Sequence, residues 1–188
     1  MKLERVLPYV KTLIKSSVSP GDTVVDATAG NGHDTLFLAQ LVGLTGKVYA
    51  FDVQEEAIEA TRLRLGEWQE CATVIQDGHE KITQYVTNEI SAAVFNLGYL
   101  PGADHSIITK PNTTIQSITG CLDLLKVGGI IVLVVYHGHE GGDVERDALL
   151  EYLQTLPQSF VHVLKYEFIN QQNHPPFVVA IEKMKHLT

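Results

Sequence analysis

Two aspartates, Asp26 and Asp34, lie in the glycine-rich segment DATAGNGHDT (26–35). Apolar β-branched residues precede this segment and helix-forming residues follow it, an order typical of a strand, a turn and a helix that hold a nucleotide-like ligand. The G-x-G-x-x-G pattern of dinucleotide sites is incomplete, because Thr35 takes the place of the third glycine. Two carboxylates would also repel a diphosphate, so the turn favours a ligand that carries positive charge.

S-adenosylmethionine meets this requirement, since it has a sulfonium and an ammonium group and no phosphate. Asp52 ends the next predicted strand, about twenty residues after the glycine turn, where an acid accepts hydrogen bonds from a ribose. NAD also contains a ribose, so Asp52 alone does not separate the two ligands. Asp77 and His79 follow the third predicted strand, where they either border the adenine ring or form a plain Asp-Gly turn. Asp34 has a simpler alternative as a helix cap.

A polar side chain also ends the fourth predicted strand, in FNLGYLPG (95–102). The amide oxygen of Asn96 and a backbone carbonyl at this position can accept hydrogen bonds from an amine and aim its lone pair at a methyl group. The arrangement is similar in logic to the Asn-Pro-Pro-Tyr loop of amino-group methyltransferases, although Leu97 and Gly98 replace the two prolines. Tyr99 is then a candidate for stacking on the substrate. The alternative is that the segment only orders a turn.

Histidines that follow a strand end are candidates for the general base that takes a proton from such an amine. His137 and His139, in YHGHEGG (136–142), are preferred for this reason. No third ligand accompanies this histidine pair, so we predict no metal site. The other candidate bases are Tyr99, Asp104 and His105.

Strand and helix signals alternate along the chain, which predicts a parallel sheet with helices on both faces. Strands are predicted at 23–28, 47–53, 71–76, 91–97, 130–136, 161–168 and 177–183. Helices are predicted at 3–17, 34–42, 55–68 and 143–156, from 111 to before Gly128-Gly129, and in a short segment after the third strand. The fifth strand is the most hydrophobic and is expected near the centre of the sheet. We therefore predict an α/β fold, a Rossmann-like doubly wound, mostly parallel seven-stranded sheet that ends in an antiparallel hairpin.

Length and composition favour one domain over residues 1–188, with an N-terminal helix (1–19) packed on it. The 14 basic and 22 acidic side chains give a net charge of −8, which argues against broad adhesion to nucleic acid. The two cysteines have no metal-ligand spacing, which is typical of a reduced, cytoplasmic protein. No apolar run has the length of a membrane span and the N-terminus has no signal-peptide core, so we expect no membrane partner.

Four motifs together, DATAGNGHDTLFLA, AFDVQ, FNLGYLPG and YHGHEGG, resemble those of class I S-adenosylmethionine-dependent methyltransferases. Within that class the chain resembles a small bacterial family labelled as rRNA methylases, nearly from the first strand to the last. Characterised relatives in that family methylate the 5-aminomethyl group of (2-thio)uridine at the wobble position of tRNA. The resemblance implies this activity here, with S-adenosylhomocysteine as the product.

The resemblance also implies positions for the site residues. It places Asn96 to Tyr99 opposite the transferred methyl group and residues 136–142 on the substrate side. It places the cofactor against Asp26, Thr28, Gly30, Asn31, Gly32, Asp34, Thr35, Asp52, Gln54, Asp77 and His79.

Other functions stay open at this stage. The substrate is alternatively rRNA or a small molecule, and the acidic net charge favours the latter. An NAD-dependent oxidoreductase is disfavoured by Thr35 and the paired acids, and a non-catalytic nucleotide-binding module would not need Asn96. A domain of this size would grip a tRNA poorly alone, so we expect a homodimer in which each subunit contributes surface to the other's substrate.

Overall fold

The computed structural model describes residues 2–98, 111–138 and 141–186. The strands are β1 Thr23–Asp26, β2 Lys47–Asp52, β3 Ala72–Gln76, β4 Ile90–Leu97, β5 Leu125–Val135, β6 Val161–Tyr166 and β7 Phe177–Lys183. The α-helices are α1 Val6–Ser17, α2 His33–Val42, α3 Glu55–Leu65, α4 Ile82–Tyr85, α5 Pro111–Leu124 and α6 Gly142–Thr155, and short 3-10 helices cover Gly66–Cys71 and His79–Lys81.

The seven strands form one sheet in the order β3-β2-β1-β4-β5-β7-β6. Strands β1 to β5 pair in parallel, and β7 pairs antiparallel with both β5 and β6. This confirms the predicted α/β sheet with an antiparallel C-terminal hairpin. Because β6 runs in the same direction as β5, the loop between β6 and β7 lies at the edge where the parallel strands end. The candidate ligand residues within the described ranges are at or after the carboxyl ends of β1 to β5 and so lie along that edge.

The core has two layers, one on each face of the sheet. Buried side chains of α1, α2 and α3, such as Ile14 and Leu38, pack on one face. Buried side chains of α4, α5 and α6, such as Ile118 and Leu149, pack on the other. Helices on both faces explain why the inner strands are apolar throughout. No helix in the described ranges is both long and apolar enough to cross a membrane.

Several element boundaries differ from those predicted. The first helix begins at Val6 rather than Leu3, and β1 ends at Asp26 rather than Thr28. The α3 helix ends at Leu65 rather than Trp68, because Gly66 adopts a positive φ of 54° and the chain continues as a 3-10 helix.

The fifth strand is longer than the apolar run that predicted it. It begins at Leu125 and includes Gly128 and Gly129. Its pairing with β4 shifts between Ile90↔Leu125 and Ala92↔Ile130, so the glycines lie in an irregularity of the ladder. The strand lies one place from the middle strand β4, consistent with its predicted position near the centre.

Candidate ligand site at the carboxyl edge of the sheet

The glycine turn connects β1 to α2 and is fixed by backbone hydrogen bonds. The Ala29 N–H donates to the Phe51 carbonyl at 2.8 Å, and the Gly32 N–H donates to the Ala29 carbonyl at 2.8 Å. Gly30 and Gly32 have positive φ values of 52° and 76°. A Cβ at Gly32 would lie 2.7 Å from the Thr61 Cα, so the missing side chain allows the turn to approach α3 closely.

Asp52, the last residue of β2, is joined to this turn. Its Oδ2 accepts a hydrogen bond from the Gly30 N–H at 2.9 Å, and its Oδ1 accepts one from the Gln54 N–H at 3.0 Å. A carboxylate has about four acceptor sites, so the two oxygens can still accept hydrogen bonds from ligand hydroxyls. The structure thus places the predicted ribose acceptor directly beside the glycine turn.

Asp26 supports the turn from inside the protein, where its side chain is fully buried. Its Oδ2 accepts from the Thr35 hydroxyl at 2.7 Å, and its Oδ1 accepts from the Thr28 N–H at 3.2 Å. Burial and the nearby negative charge of Asp34 raise the pKa of Asp26 to about 7. Thr35, at the position of the missing third glycine, therefore has a bonding role that a glycine could not fill.

Asp34 does not cap α2, so the capping alternative is wrong. The cap position is Gly32, in a left-handed conformation and without a side-chain capping bond. Asp34 lies in the first turn, where its Oδ2 accepts a hydrogen bond from Asn96 Nδ2 at 2.9 Å. The Asn96 backbone N–H donates to Thr28 Oγ1 at 2.7 Å. The end of β4 is thereby joined to the glycine turn through both its main chain and its side chain.

The carboxylate of Asp77, after β3, is already engaged by protein groups. It accepts from Lys81 Nζ at 2.6 Å, from the Tyr85 hydroxyl at 2.8 Å and from the Gly78 N–H at 2.8 Å. Hydrogen bonds from Lys81 and Tyr85 lower the pKa of Asp77 to about 2. The aspartate therefore shapes the turn after β3, which makes it a less available ligand group than Asp52.

His79, by contrast, keeps one ring nitrogen available. Its Nδ1 lies 3.2 Å from the Ala27 carbonyl. A carbonyl only accepts, so Nδ1 carries the hydrogen and Nε2 is an acceptor. Nε2 is buried and has no hydrogen-bond partner among the described residues. Burial lowers the pKa of His79, and the ring packs edge-on against Phe95 at 5.8 Å. Buried acceptors normally have a hydrogen-bond donor beside them, so Nε2 is a candidate to accept a hydrogen bond from a ligand N–H group.

Two residues of α3 that hold the glycine turn were not predicted from the sequence. The Thr61 hydroxyl donates to the Gly30 carbonyl at 3.1 Å, and Arg64 Nε donates to the Asn31 carbonyl. These partners are more than thirty residues apart in sequence. No local motif marks them, because each contact exists only once α3 has packed beside the turn.

Tyr136, the first residue after β5, adjoins the Asp34–Asn96 pair. Its N–H donates to the Leu97 carbonyl at 3.0 Å, and burial together with the charge of Asp34 raises the pKa of its phenol. The residue is 37% exposed, so its ring is open to a ligand. Sequence analysis included it only as part of the segment 136–142, although its position directly after the most apolar strand was a usable signal.

His137 faces the loop between β6 and β7. Its ring contacts those of Phe177 and His174, with centroids 5.6 Å and 5.8 Å away. Burial and the positive charge of Arg146 lower the pKa of His137. A cavity of about 430 Å³ opens beside it, lined by His137, Glu167, Phe168, Ile169, Gln171, Gln172, Asn173, His174 and Pro175.

Some predicted residues lie outside the described ranges, namely Tyr99, Asp104, His105 and His139. Across residues 2–98, 111–138 and 141–186, no group of three or more histidine, cysteine and acidic side chains is placed to hold a metal ion. The residues brought together are therefore those of the glycine turn, the ends of β2 and β3, and Asn96.

Comparison with known proteins gives several matches over most of the chain. A protein from Clostridium thermocellum named "putative rRNA-methylase" is 45% identical, with a TM-score of 0.96 over 98% of this chain and 100% of that chain. A "putative methyltransferase" from Streptococcus mutans, solved in complex with S-adenosylhomocysteine, is 42% identical, with a TM-score of 0.89 over 97% of this chain and 99% of that chain.

A curated relative from Arabidopsis thaliana is a chloroplastic tRNA (mnm(5)s(2)U34)-methyltransferase. It is 37% identical over 178 residues, which cover 88% of this chain and 65% of the plant protein. The chain thus spans less than two thirds of that relative's length. The family model described as "Putative rRNA methylase" matches residues 48–182. With well over half of its length matched by that model, and with the class I methyltransferase fold of its solved relatives, the chain belongs to this methylase family.

Proposed function

We propose that this protein transfers a methyl group from S-adenosylmethionine to the 5-aminomethyl group of (2-thio)uridine at the wobble position of tRNA, which gives 5-methylaminomethyl. The observation that carries the proposal is the amide of Asn96, which ends β4 and is bonded to the glycine turn through Asp34 and Thr28. An amine nucleophile needs acceptors of this kind beside the methyl donor. The name of the plant relative, a tRNA (mnm(5)s(2)U34)-methyltransferase, supports the same substrate.

The crevice residues fit S-adenosylmethionine. Asp52 has acceptor capacity left for ribose hydroxyls, and the buried Nε2 of His79 suits the amine of the adenine ring. Asp34 and, once ionised, Asp26 provide negative charge for the sulfonium group, which the product S-adenosylhomocysteine lacks. The relative from Streptococcus mutans was solved with S-adenosylhomocysteine bound, which supports the assignment. When bound, the cofactor supplies an electrophilic methyl group. We propose that the other residues predicted to contact the cofactor line the same crevice, on the glycine turn and after β2 and β3. They are Gly30, Asn31, Gly32, Thr35, Gln54 and Asp77.

The substrate amine would be held by the Asn96 amide and by the backbone of Leu97 and Gly98. Alignment of two bound reactants contributes about 7–11 kcal/mol to rate acceleration in favourable cases. Tyr136 has a raised phenol pKa, which keeps it protonated at neutral pH. We therefore assign it to the wall of the substrate site, as an aromatic surface for the base.

Removal of a proton from the substrate is the second requirement. If the amine has a pKa near that of lysine, its neutral form costs about 4–5 kcal/mol at pH 7. The lowered pKa of His137 keeps its ring neutral and able to accept a proton. However, its ring contacts the β6–β7 loop rather than Asn96. We assign His137 to contact with the substrate, while His139 stays a predicted base.

The same proposal includes a single domain, a homodimer and a cytoplasmic location. All described helices pack on one sheet, which supports one domain.

The edge strand β6 exposes Val163 by 41% and Leu164 by 46%, a surface suited to a second copy. Cys71 and Cys121 are buried free thiols, typical of a reducing compartment. Light scattering should give twice the chain mass of 20.7 kDa, whereas a mass of 20.7 kDa would contradict the dimer.

One experiment tests the activity. The protein is incubated with labelled S-adenosylmethionine and, in separate reactions, with tRNA that carries the aminomethyl group, with rRNA and with the free nucleoside. Mass spectrometry of the digested RNA should find 5-methylaminomethyl-(2-thio)uridine only in the tRNA reaction. The tRNA assignment would be overturned if only the rRNA or only the nucleoside became labelled. The rRNA is included because the family's description refers to it. The Asn96→Ala variant is the matched control and should bind cofactor without turnover.

A further inference from the structure

Asp34 and Asn96 are 62 residues apart in sequence and meet at the crevice. Asp34 belongs to the first turn of α2, and Asn96 is the penultimate residue of β4. The contact is a single side-chain hydrogen bond of 2.9 Å between two partly buried groups. It therefore joins the element that holds the cofactor to the strand that ends at the substrate.

The chemistry of the two groups fixes the direction of the bond. An ionised carboxylate only accepts hydrogen bonds, whereas an amide has a donating nitrogen and an accepting oxygen. The nitrogen of Asn96 must therefore face Asp34, and the Oδ1 atom must point away from it. The main chain at Asn96 is held as well, because its N–H donates to Thr28 Oγ1 at 2.7 Å. The amide has one orientation imposed by its neighbour.

We propose that Asp34 is a positioning residue that turns the Asn96 amide so that its oxygen accepts a hydrogen bond from the amine substrate. This inference rests on the proposed function and adds to it a reason for the substrate class. Oxygen acceptors at this point select a nucleophile that carries hydrogen-bond donors, as an amine does. Without Asp34 the amide can rotate and present its own N–H₂ group, which would compete with the substrate amine.

Four variants separate this role from direct contact between Asp34 and the cofactor. They are Asp34→Asn, Asp34→Ala, Asn96→Asp and the exchange Asp34→Asn with Asn96→Asp. Turnover of tRNA gives kcat, and calorimetry with S-adenosylhomocysteine gives Kd. Each single substitution at position 34 should lower kcat about tenfold or more, while Kd changes less than about threefold.

The exchange is the decisive variant. The new amide at position 34 can donate to the new carboxylate at position 96, so an acceptor again faces the substrate. Its kcat should exceed that of both component variants. Because the restored bond would rescue a structural role as well, the positioning role also requires that the Kd of the single variants at position 34 stays within about threefold of the wild-type value. Glu56→Gln is the matched control, because Glu56 is also an acid in the first turn of a helix but lies exposed on α3. It should leave kcat and Kd unchanged.

A measurement that needs no turnover keeps this inference separate from the proposed function. The side-chain amide signal of Asn96 in a nitrogen–proton spectrum is identified by its absence in Asn96→Ala. It should move in Asp34→Ala and stay in Glu56→Gln. If kcat and Kd of the Asp34 variants worsen in parallel, or if the signal does not move, the positioning role is overturned. A wild-type protein that never methylates tRNA overturns the proposed function instead, while the spectra still decide whether Asp34 orients the amide.

Discussion

The carboxyl edge of the sheet has two halves that are built differently. The cofactor half, at the ends of β1, β2 and β3, has Asp26 and Asp52 each bonded twice to neighbouring groups of the protein. The other half, which we propose to be the substrate half, comprises the ends of β4 and β5 and the β6–β7 loop. There Tyr136 is 37% exposed and Ile169 is 93% exposed. Asn173 and His174 adopt positive φ values of 65° and 48°, a conformation that costs energy for residues other than glycine.

The difference follows from what each half would hold. A small cofactor of constant shape is best bound by groups that are already fixed, because little ordering is then required on binding. An RNA substrate is large and is met by exposed loops at the surface. The Asp34–Asn96 bond is the side chain–side chain hydrogen bond that joins the glycine turn to the end of β4. If the two halves are as separate in energy as they are in structure, substitutions in one half should leave the function of the other unchanged.

The largest effect should come from Asp52→Ala in the cofactor half. The change removes the predicted ribose acceptor and leaves the Gly30 and Gln54 N–H groups without their partner. Two hydrogen bonds to a charged group correspond to a loss of about 100-fold or more in affinity. Calorimetry with S-adenosylhomocysteine measures this loss. The Asp52→Asn variant keeps one acceptor oxygen, so its Kd should lie between those of the wild type and of Asp52→Ala. An unchanged Kd would place the ribose elsewhere and break the division into halves.

Gly32→Ala should destabilise the glycine turn. The new Cβ would lie 2.7 Å from the Thr61 Cα, at a residue with a φ of 76°. Overpacking against backbone together with left-handed strain should lower the free energy of unfolding by about 2–4 kcal/mol. Gly141→Ala is the matched control, because Gly141 is also a left-handed helix N-cap, with a φ of 79°, and has no atom within 4 Å of the added Cβ. Urea unfolding should show a loss of about 1 kcal/mol for the control, and equal losses would contradict the packing argument.

Asp26→Asn should change how stability depends on pH. The folded-state pKa of about 7 is raised above the unfolded value by burial and by Asp34. The folded protein thus binds the proton more tightly, so this group's contribution is most favourable at low pH and is lost as pH rises towards and through 7. The contribution of Asp26 should fall by about 2–3 kcal/mol between about pH 5 and 8. Asparagine does not titrate, so urea unfolding of the variant should show a weaker decline. An identical decline in both proteins would refute the assignment.

The cofactor half was largely predictable from sequence, because its signals are local. Asp26 lies in the glycine segment, and Asp52 follows at the spacing that parallel strands impose. The sheet was predictable because strand and helix signals alternate along the chain. The rules for connections between such elements then allow only a few strand orders. The role of Asp34 was not predictable in the same way. Its partner Asn96 is 62 residues away, and only the pairing of β4 with β1, the strand before α2, brings the two together.

The substrate half was less predictable for the same physical reason. Its lining comes from β5 and from a hairpin about thirty residues further along the chain, and no spacing rule connects His137 with His174. The start of β5 also depended on its neighbour. The local sequence predicts a turn at Gly128 and Gly129, but pairing with β4 includes both glycines in an irregular part of β5. In both cases the outcome depends on which distant residues meet, and local sequence patterns do not give that information.

The smallest effects should come from His137→Ala and His174→Ala in the substrate half. Both rings border the 430 Å³ cavity and contact each other, away from the glycine turn. Each variant should raise KM for tRNA about three- to tenfold, as expected for one lost contact, and leave the Kd of S-adenosylhomocysteine unchanged. His186→Ala is the control and should change neither value, because His186 is exposed and follows the end of β7 at the opposite edge of the sheet.

The pH profile of the same variants distinguishes contact from catalysis. The lowered pKa of His137 leaves its ring neutral above about pH 6.5, so a contact role predicts the same relative loss from about pH 7 to 9. A general base would instead show as a fall of about 100-fold in kcat with KM unchanged. That outcome would assign proton removal to His137, just after the end of β5. Unchanged values for both histidine variants would mean that the cavity does not meet the RNA, and the substrate half would then end at Tyr136.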